Sequence, residues 1–349
     1  MLRDVLVVLV TTIVFAGAAH AEVVLVDDGQ PAAAIVTAER PSAAAREAAT
    51  FLREYIERIS GTELPIVTEA DAPDGSRILV GASVLTEALG YAPDDLALEQ
   101  AIVRVHDGDV VVIGDDEKPT GGALMGTRHA AVMLLRELGV RWLWPGDLGT
   151  VTPEQTTIAL PADLSLDWTP RLLKRGLRSA RYNDRVQRGL DALGWSADDF
   201  KAMHARDIAP WYVAHRTGGS FAGSYGHAYG NYYQRFHDEH PEWFAMQPDG
   251  TREQGNIGNR SRLCVSNPEL IAQIAQEKIA ELHERPDVDC VSISPNDGGA
   301  PTFCTCDACE AWDAPDGPTI EFYWPGVENR RKEHVSLSDR YARFYNEIA

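Results

Sequence analysis

Apolar side chains recur at helical spacing at Ala44, Ala48, Phe51, Leu52, Tyr55, Ile56 and Ile59, which predicts an amphipathic helix. Ser42 stands where a hydroxyl can accept from the free N–H groups of the first turn, and Gly61 where a left-handed glycine closes a helix. Apolar runs at 23–26, 34–36 and 77–81 read as short strands. The runs 102–105 and 110–113 flank Asp107-Gly108, a pair that tolerates positive φ, so a hairpin is expected there. A second helix is expected from about 122 to 138, ended by Gly139. Two helices against a small mixed sheet make an α+β sandwich over residues 22–165.

The stretch 150–170 carries Pro153, Pro161 and Pro170 and reads as a linker. Residues 166–349 then alternate strand and helix signals. Strands are expected at 172–178, 209–215 and 288–293, and helices at 196–204, at 268–283 and from 336 onward. Alternation of this kind belongs to α/β architecture. A complete (β/α) barrel takes about 250 residues, so the expectation is an N-terminal sandwich followed by a partial TIM (β/α) barrel.

Arg3, the apolar run 5–15 and the small-x-small sequence Ala19-His20-Ala21 read as an export signal over residues 1–21. The run is too short to span a bilayer, and no later segment reads as transmembrane, so a secreted or periplasmic protein is expected, with no membrane contact after cleavage. The net charge of −20 argues against nucleic acid and anionic membrane surfaces as partners, since both call for a basic footprint. A hydrophobic content of 44% fits a globular core and excludes wholesale disorder.

Candidate chemistry concentrates where the 288–293 run ends in Ser294-Pro295-Asn296-Asp297-Gly298-Gly299. Pro295 lacks a backbone donor and the glycines permit positive φ, so the strand should stop and present polar side chains at its tip. Barrel enzymes keep their catalytic groups at such tips. Asp297 is the first catalytic candidate, although Asn-Asp-Gly is also ordinary turn chemistry. Asn296 is a candidate for holding a hydroxyl of a ligand. Glu242 is the second carboxylate candidate; following Pro241, it also suits the first turn of a helix. Period 2 separates Arg175 from Arg178 across the expected first strand, so at most one of them can clamp a carboxylate, and a salt bridge is the competing role. The segment 218–233 is rich in Gly, Tyr and Ser; with His227 and Tyr229 it has the makings of a sugar-binding loop. His237 and His240, at helical spacing, lack a third ligand of known position. Of five cysteines, Cys290 is expected as a buried thiol, while Cys264, Cys304, Cys306 and Cys309 suit either a structural zinc or two disulfides.

The first unit resembles the N-terminal domain of family 67 α-glucuronidases and family 20 β-hexosaminidases (hexosaminidase domain 2). The likeness rests on AAAREAATFLREYIERISGTELPIV, RILVG, the Asp107-Gly108 hairpin and GALMGTRHAAVMLLRELGVRWLWPGDLG. The second unit resembles the DUF4838 domain through HPEWF at 240–244, LCVSNPE at 263–269, SISPND at 292–297, the cysteine triplet and SLSDRYARFYNEIA. The resemblance implies an exported carbohydrate-active protein, a glycoside hydrolase of α-glucuronidase-like or hexosaminidase-like activity on oligo- or polysaccharides, with no cofactor required for catalysis. Two other readings stay open: a non-catalytic glycan-binding protein, and a zinc-stabilised interaction module. The hydrolase reading needs Asp297 to face a sugar-sized hollow beside the 218–233 segment.

Overall fold

The computed structural model describes residues 22–117, 124–176, 184–223, 225–254, 260–297, 302–321 and 333–349. The expected leader 1–21 and Arg178 lie outside them. The fold is mixed α/β, and the chain divides into two compact units, the first running to Ser220 and the second from Phe221 to Ala349.

In the first unit six strands form a mixed sheet in the order Ser165–Trp168, Ala101–His106, Asp109–Gly114, Ser76–Val80, Ala33–Thr37, Ile66–Thr68. The last four run parallel and the hairpin closes at Asp107 and Gly108, both at positive φ, as the sequence predicts. The helices Ala43–Ser60 and Gly126–Glu137 cover one face, burying Ala48, Leu52, Ile56, Leu134 and Leu135 against Ile35, Ile78, Val110 and Val112. Alternate strand residues Ala34, Val36, Leu79, Val111 and Ile113 face the other way, onto Leu85, Leu89, Tyr91 and Leu96. The first helix begins and ends as expected: Ser42 Oγ accepts from the Ala45 N–H at 2.9 Å, and Gly61 at φ 73° donates to the Glu57 carbonyl.

Three expectations are corrected. The 150–170 stretch is woven into the first unit: Ile158–Pro161 pairs with Glu22–Asp27, and Ser165–Trp168 forms the edge of the large sheet. Residues 209–215 are helical (Ala209–Ala214), continuing through the wide turn His204–Ile208 from the helix Ala197–Met203. Pro210 follows directly on the wide turn, where the regular i→i−4 ladder that its missing N–H would break is already interrupted. Residues 172–176 are not a strand; Arg175 makes a single antiparallel bridge to Gly218.

The second unit is poor in strands. Its described ladder is the short antiparallel pair Thr319–Glu321 and Glu333–Val335. Its core is aromatic, with Tyr229, Tyr232, Trp243, Phe244 and Phe344 buried beside Leu270 and Ile274 of the helix Pro268–Glu284. The helix Ser338–Ile348 adds Phe344 to this core. The expected strand at 288–293 is extended but half-buried, without a regular ladder. It runs parallel to residues 222–229, with the Pro268–Glu284 helix between them in sequence. Contacts advance in step from Asp289 N–H→Ala222 O (2.7 Å) through the Gly223–Cys290 bridge to Ala228 N–H→Ser294 O (3.0 Å).

Candidate functional site

The paired segments end at a histidine–aspartate contact. His227 Nδ1 lies 3.1 Å from the Pro295 carbonyl oxygen, which can only accept, so Nδ1 carries the proton. His227 Nε2 then faces Asp297 Oδ2 at 3.0 Å. The two side chains meet at hydrogen-bonding distance, with the other ring nitrogen of His227 steadied by the Pro295 carbonyl. The Asp297 side chain is 72% exposed and that of His227 32%, so the pair lies at the surface.

Residues expected to bind ligand instead tether this contact from below. Asn296 is buried: its Nδ2 donates to the Tyr229 and Ser261 carbonyls at 3.1 and 3.0 Å, and its Oδ1 accepts from the Tyr229 N–H at 3.3 Å. Both amide donors are therefore committed to backbone. Tyr229 is buried too and donates through its hydroxyl to the Ile293 carbonyl at 2.9 Å, and burial pushes its phenol pKa well above the ordinary range. Arg262 Nη1 donates to the Asn296 carbonyl at 2.9 Å while its guanidinium lies over the Phe303 ring at 4.2 Å. The void between Asn296, Tyr229, Arg262 and Phe344 is about 10 Å³, room for a single water. Asp297 lies outside its lining, with its side chain exposed.

Glu242 belongs to a separate group. It stands in the turn Pro241–Trp243, and its Oε1 is 3.1 Å from His240 Nδ1, while the Glu269 carboxylate completes a cluster within 4.8 Å. His240 stacks on Trp243 with ring centroids 4.1 Å apart. His237 lies apart from this group, stacked on Tyr233 at 4.2 Å.

Arg175 is held inside the first unit. It forms an ion pair with Glu99, which is 2% exposed, donates to the Arg216 and Leu172 carbonyls at 2.9 and 2.8 Å, and lies 5.4 Å from the Trp168 ring centroid. Glu99 also accepts from the Ser220 N–H at 2.5 Å. Burial works to raise the Glu99 pKa, but the hydrogen bonds from Arg175 and Ser220 outweigh it and hold the carboxyl below its ordinary range. The salt-bridge role of Arg175 is the one observed. Its partner, in a polar stretch between two elements, carries no sequence signal. Nearby His129 is buried, edge-on to Trp168 at 5.2 Å. Burial first, then Arg175, push its pKa down to about 4, with Glu99 opposing and Arg216 and Arg128 adding to the shift.

Cys290, expected to be buried, is half-buried in the extended run, while Cys264, Cys304, Cys306 and Cys309 bring their sulfurs within 4.8 Å of one another, all as free cysteines. Cys264 is pulled below the ordinary thiol range by hydrogen bonds from Cys304 and Cys309, against burial; the bond to Cys264 in turn pushes Cys309 up to about 12.

A family model described as a domain of unknown function, DUF4838, matches residues 144–349. No curated protein matches. Among solved structures, a family GH115 4-O-methyl-α-glucuronidase with specificity for decorated arabinogalactans is similar at 21% identity and a TM-score of 0.34, over 44% of this chain and 19% of that one. The N-acetyl-β-hexosaminidase of Streptomyces plicatus is similar at 15% identity and a TM-score of 0.33, over 76% and 54%. The GH20 β-N-acetylhexosaminidase of Streptomyces coelicolor follows at 13% identity and 0.30, over 72% and 53%. The chain thus spans a fifth to about half of these structures, and similarity this low carries no weight for activity.

Proposed function

The chain belongs to the DUF4838 family through residues 144–349, and from that premise we propose that it is an exported carbohydrate-active protein that hydrolyses glycosidic bonds by acid/base chemistry. The observation that carries this reading is the contact of His227 Nε2 with the exposed Asp297 carboxylate at 3.0 Å. A group that holds a proton where a ligand can reach it is what protonation of a departing glycosidic oxygen needs. The Pro295 carbonyl, 3.1 Å from Nδ1, holds the imidazole with Nε2 toward Asp297. Glu242 is the second carboxylate that the sequence offers. No cofactor enters the reaction.

The parallel run of 222–229 beside 289–296, with the Pro268–Glu284 helix crossing over between them, supports reading the second unit as part of a (β/α) barrel. The leader-like residues 1–21 support export. α-Glucuronides and β-N-acetylhexosaminides are the substrate classes to try first, on the strength of the motifs shared with those families.

Purified protein should release chromophore from aryl α-glucuronides or aryl β-N-acetylhexosaminides. Asp297→Asn should abolish this while leaving the circular dichroism unchanged, and Glu242→Gln tests the second carboxylate. A glycan-binding reading without turnover is favoured by the exposure of the Asp297 side chain, 72%. Oligosaccharide binding in the absence of turnover would decide for it. Absence of both would sink both readings.

A further inference from the structure

We propose that Cys264, Cys304, Cys306 and Cys309 hold one zinc ion in a closed, tetrahedral, structural site that pins the chain leaving the Asp297 segment to the core of the second unit. The four sulfurs come from two places far apart in sequence. Cys264 follows Leu263, which bridges Phe244, and the other three follow one another as C-x-C-x-x-C. The sulfur separations are 3.7 Å for Cys264–Cys306, 3.8 Å for Cys264–Cys309 and 3.4 Å for Cys304–Cys306. A zinc–sulfur bond of about 2.3 Å places the corners of a tetrahedron about 3.8 Å apart, which is this spacing. Disulfides would instead bring the sulfurs together in two pairs, each at about 2.05 Å. These separations, with all four sulfurs within 4.8 Å of one another, describe four donors around one centre.

The surroundings match a thiolate centre. The Met246 N–H donates to Cys304 Sγ at 3.2 Å, and Ser266 Oγ lies 3.0 Å from Cys309 Sγ, positioned to donate its hydroxyl proton. Zinc with four thiolates carries a net charge of −2, and the positive charge of Arg252, held by the Glu242 and Phe244 carbonyls, acts on Cys264, Cys304 and Cys306. Arg340, 1% exposed, ties the Cys304 carbonyl (2.8 Å) and Asp313 to the Ser338–Ile348 helix. Thr305, between two of the ligands, bonds through its N–H to the Met246 carbonyl at 3.1 Å, and Thr302 through its own to Gln247 Oε1 at 3.0 Å. Four thiolates leave no open position for water or substrate, so the ion fastens these segments and does no chemistry. Binding releases the thiol protons, so affinity should fall as the pH is lowered.

The test is elemental analysis of the full chain as purified, with thiol titration and an intact mass measured without reductant. About one zinc per chain is expected, with Cys290 reacting first and the other four thiols only after chelation or unfolding. Chelation should also lower the unfolding midpoint of the second unit and leave that of the first in place. Cys290→Ser should keep the zinc, and Cys304→Ser/Cys306→Ser should lose it. A mass lower by the hydrogens of two disulfides, without metal, would overturn the proposal. So would five free thiols without metal, or stoichiometric iron in place of zinc.

Discussion

A Cβ added at Gly223 would stand 2.3 Å from Cys290 Sγ, so the parallel run of 222–229 beside 289–296 closes only because position 223 has no side chain. Gly223→Ala is expected to destabilise the second unit by about 1–3 kcal/mol through overpacking. Cys290→Ala, which removes the opposing sulfur, should restore most of that loss in the double variant. Chemical denaturation of the four proteins of this cycle measures the coupling, and additive effects would refute direct contact.

His129 and the acid side of the stability curve give a second prediction. Its folded pKa of about 4 lies below the unfolded value near 6.5, so between those pH values only the unfolded chain takes up the proton. The stability of the first unit should fall as the pH drops from about 6.5 to about 4, by up to about 3 kcal/mol. His129→Phe should flatten that part of the profile. An unchanged slope in denaturant titrations across this range would contradict the assignment.

Glu99 acts lower on the same curve. Its folded pKa is depressed, so its contribution is complete above the unfolded carboxyl value near 4.3 and is lost as the pH falls through the folded one. At neutral pH, Glu99→Gln leaves the Arg175 guanidinium, 15% exposed, without its counter-charge. A loss of about 3–5 kcal/mol is expected, read from the unfolding midpoint of the first unit.

Neighbouring side chains at 296 and 297 should separate stability from activity. Asn296→Ala orphans the Tyr229 N–H and two carbonyls in a buried place and is expected to cost about 2–4 kcal/mol. Asp297→Asn alters an exposed pair and should cost under about 1 kcal/mol, while ending turnover of the aryl glycosides. Thermal melts run beside the hydrolysis assay give both readings.

The first unit was legible in the sequence because its signals are local. Ser42 and Gly61 bracket a helix, Asp107-Gly108 makes a hairpin, and apolar runs alternate on strands buried on both faces. The segment 209–215 misled because a short run of aromatic and branched residues fits a strand or a buried helix equally well. Its helicity comes from continuation of the preceding turns. At the site, the residue types drew attention to Asp297 and His227 separately. Their contact depends on two extended segments meeting across the intervening helix, and no local pattern encodes that. Tyr229 and Asn296 looked ligand-facing because tyrosine and asparagine suit sugars, yet here their polar groups satisfy buried backbone. The cysteine set was legible by count and spacing, but its geometry emerges only once Cys264 folds back onto the triplet.

His227 and Pro295, joined at 3.1 Å, are 68 positions apart in the chain. A nascent polypeptide therefore carries residues 222–229 without their match until residue 296 has emerged, whereas the hairpin of the first unit can close at once. Their pairing waits for that span, and any stall before residue 296 leaves an open backbone that a foreign strand or a holding chaperone can occupy.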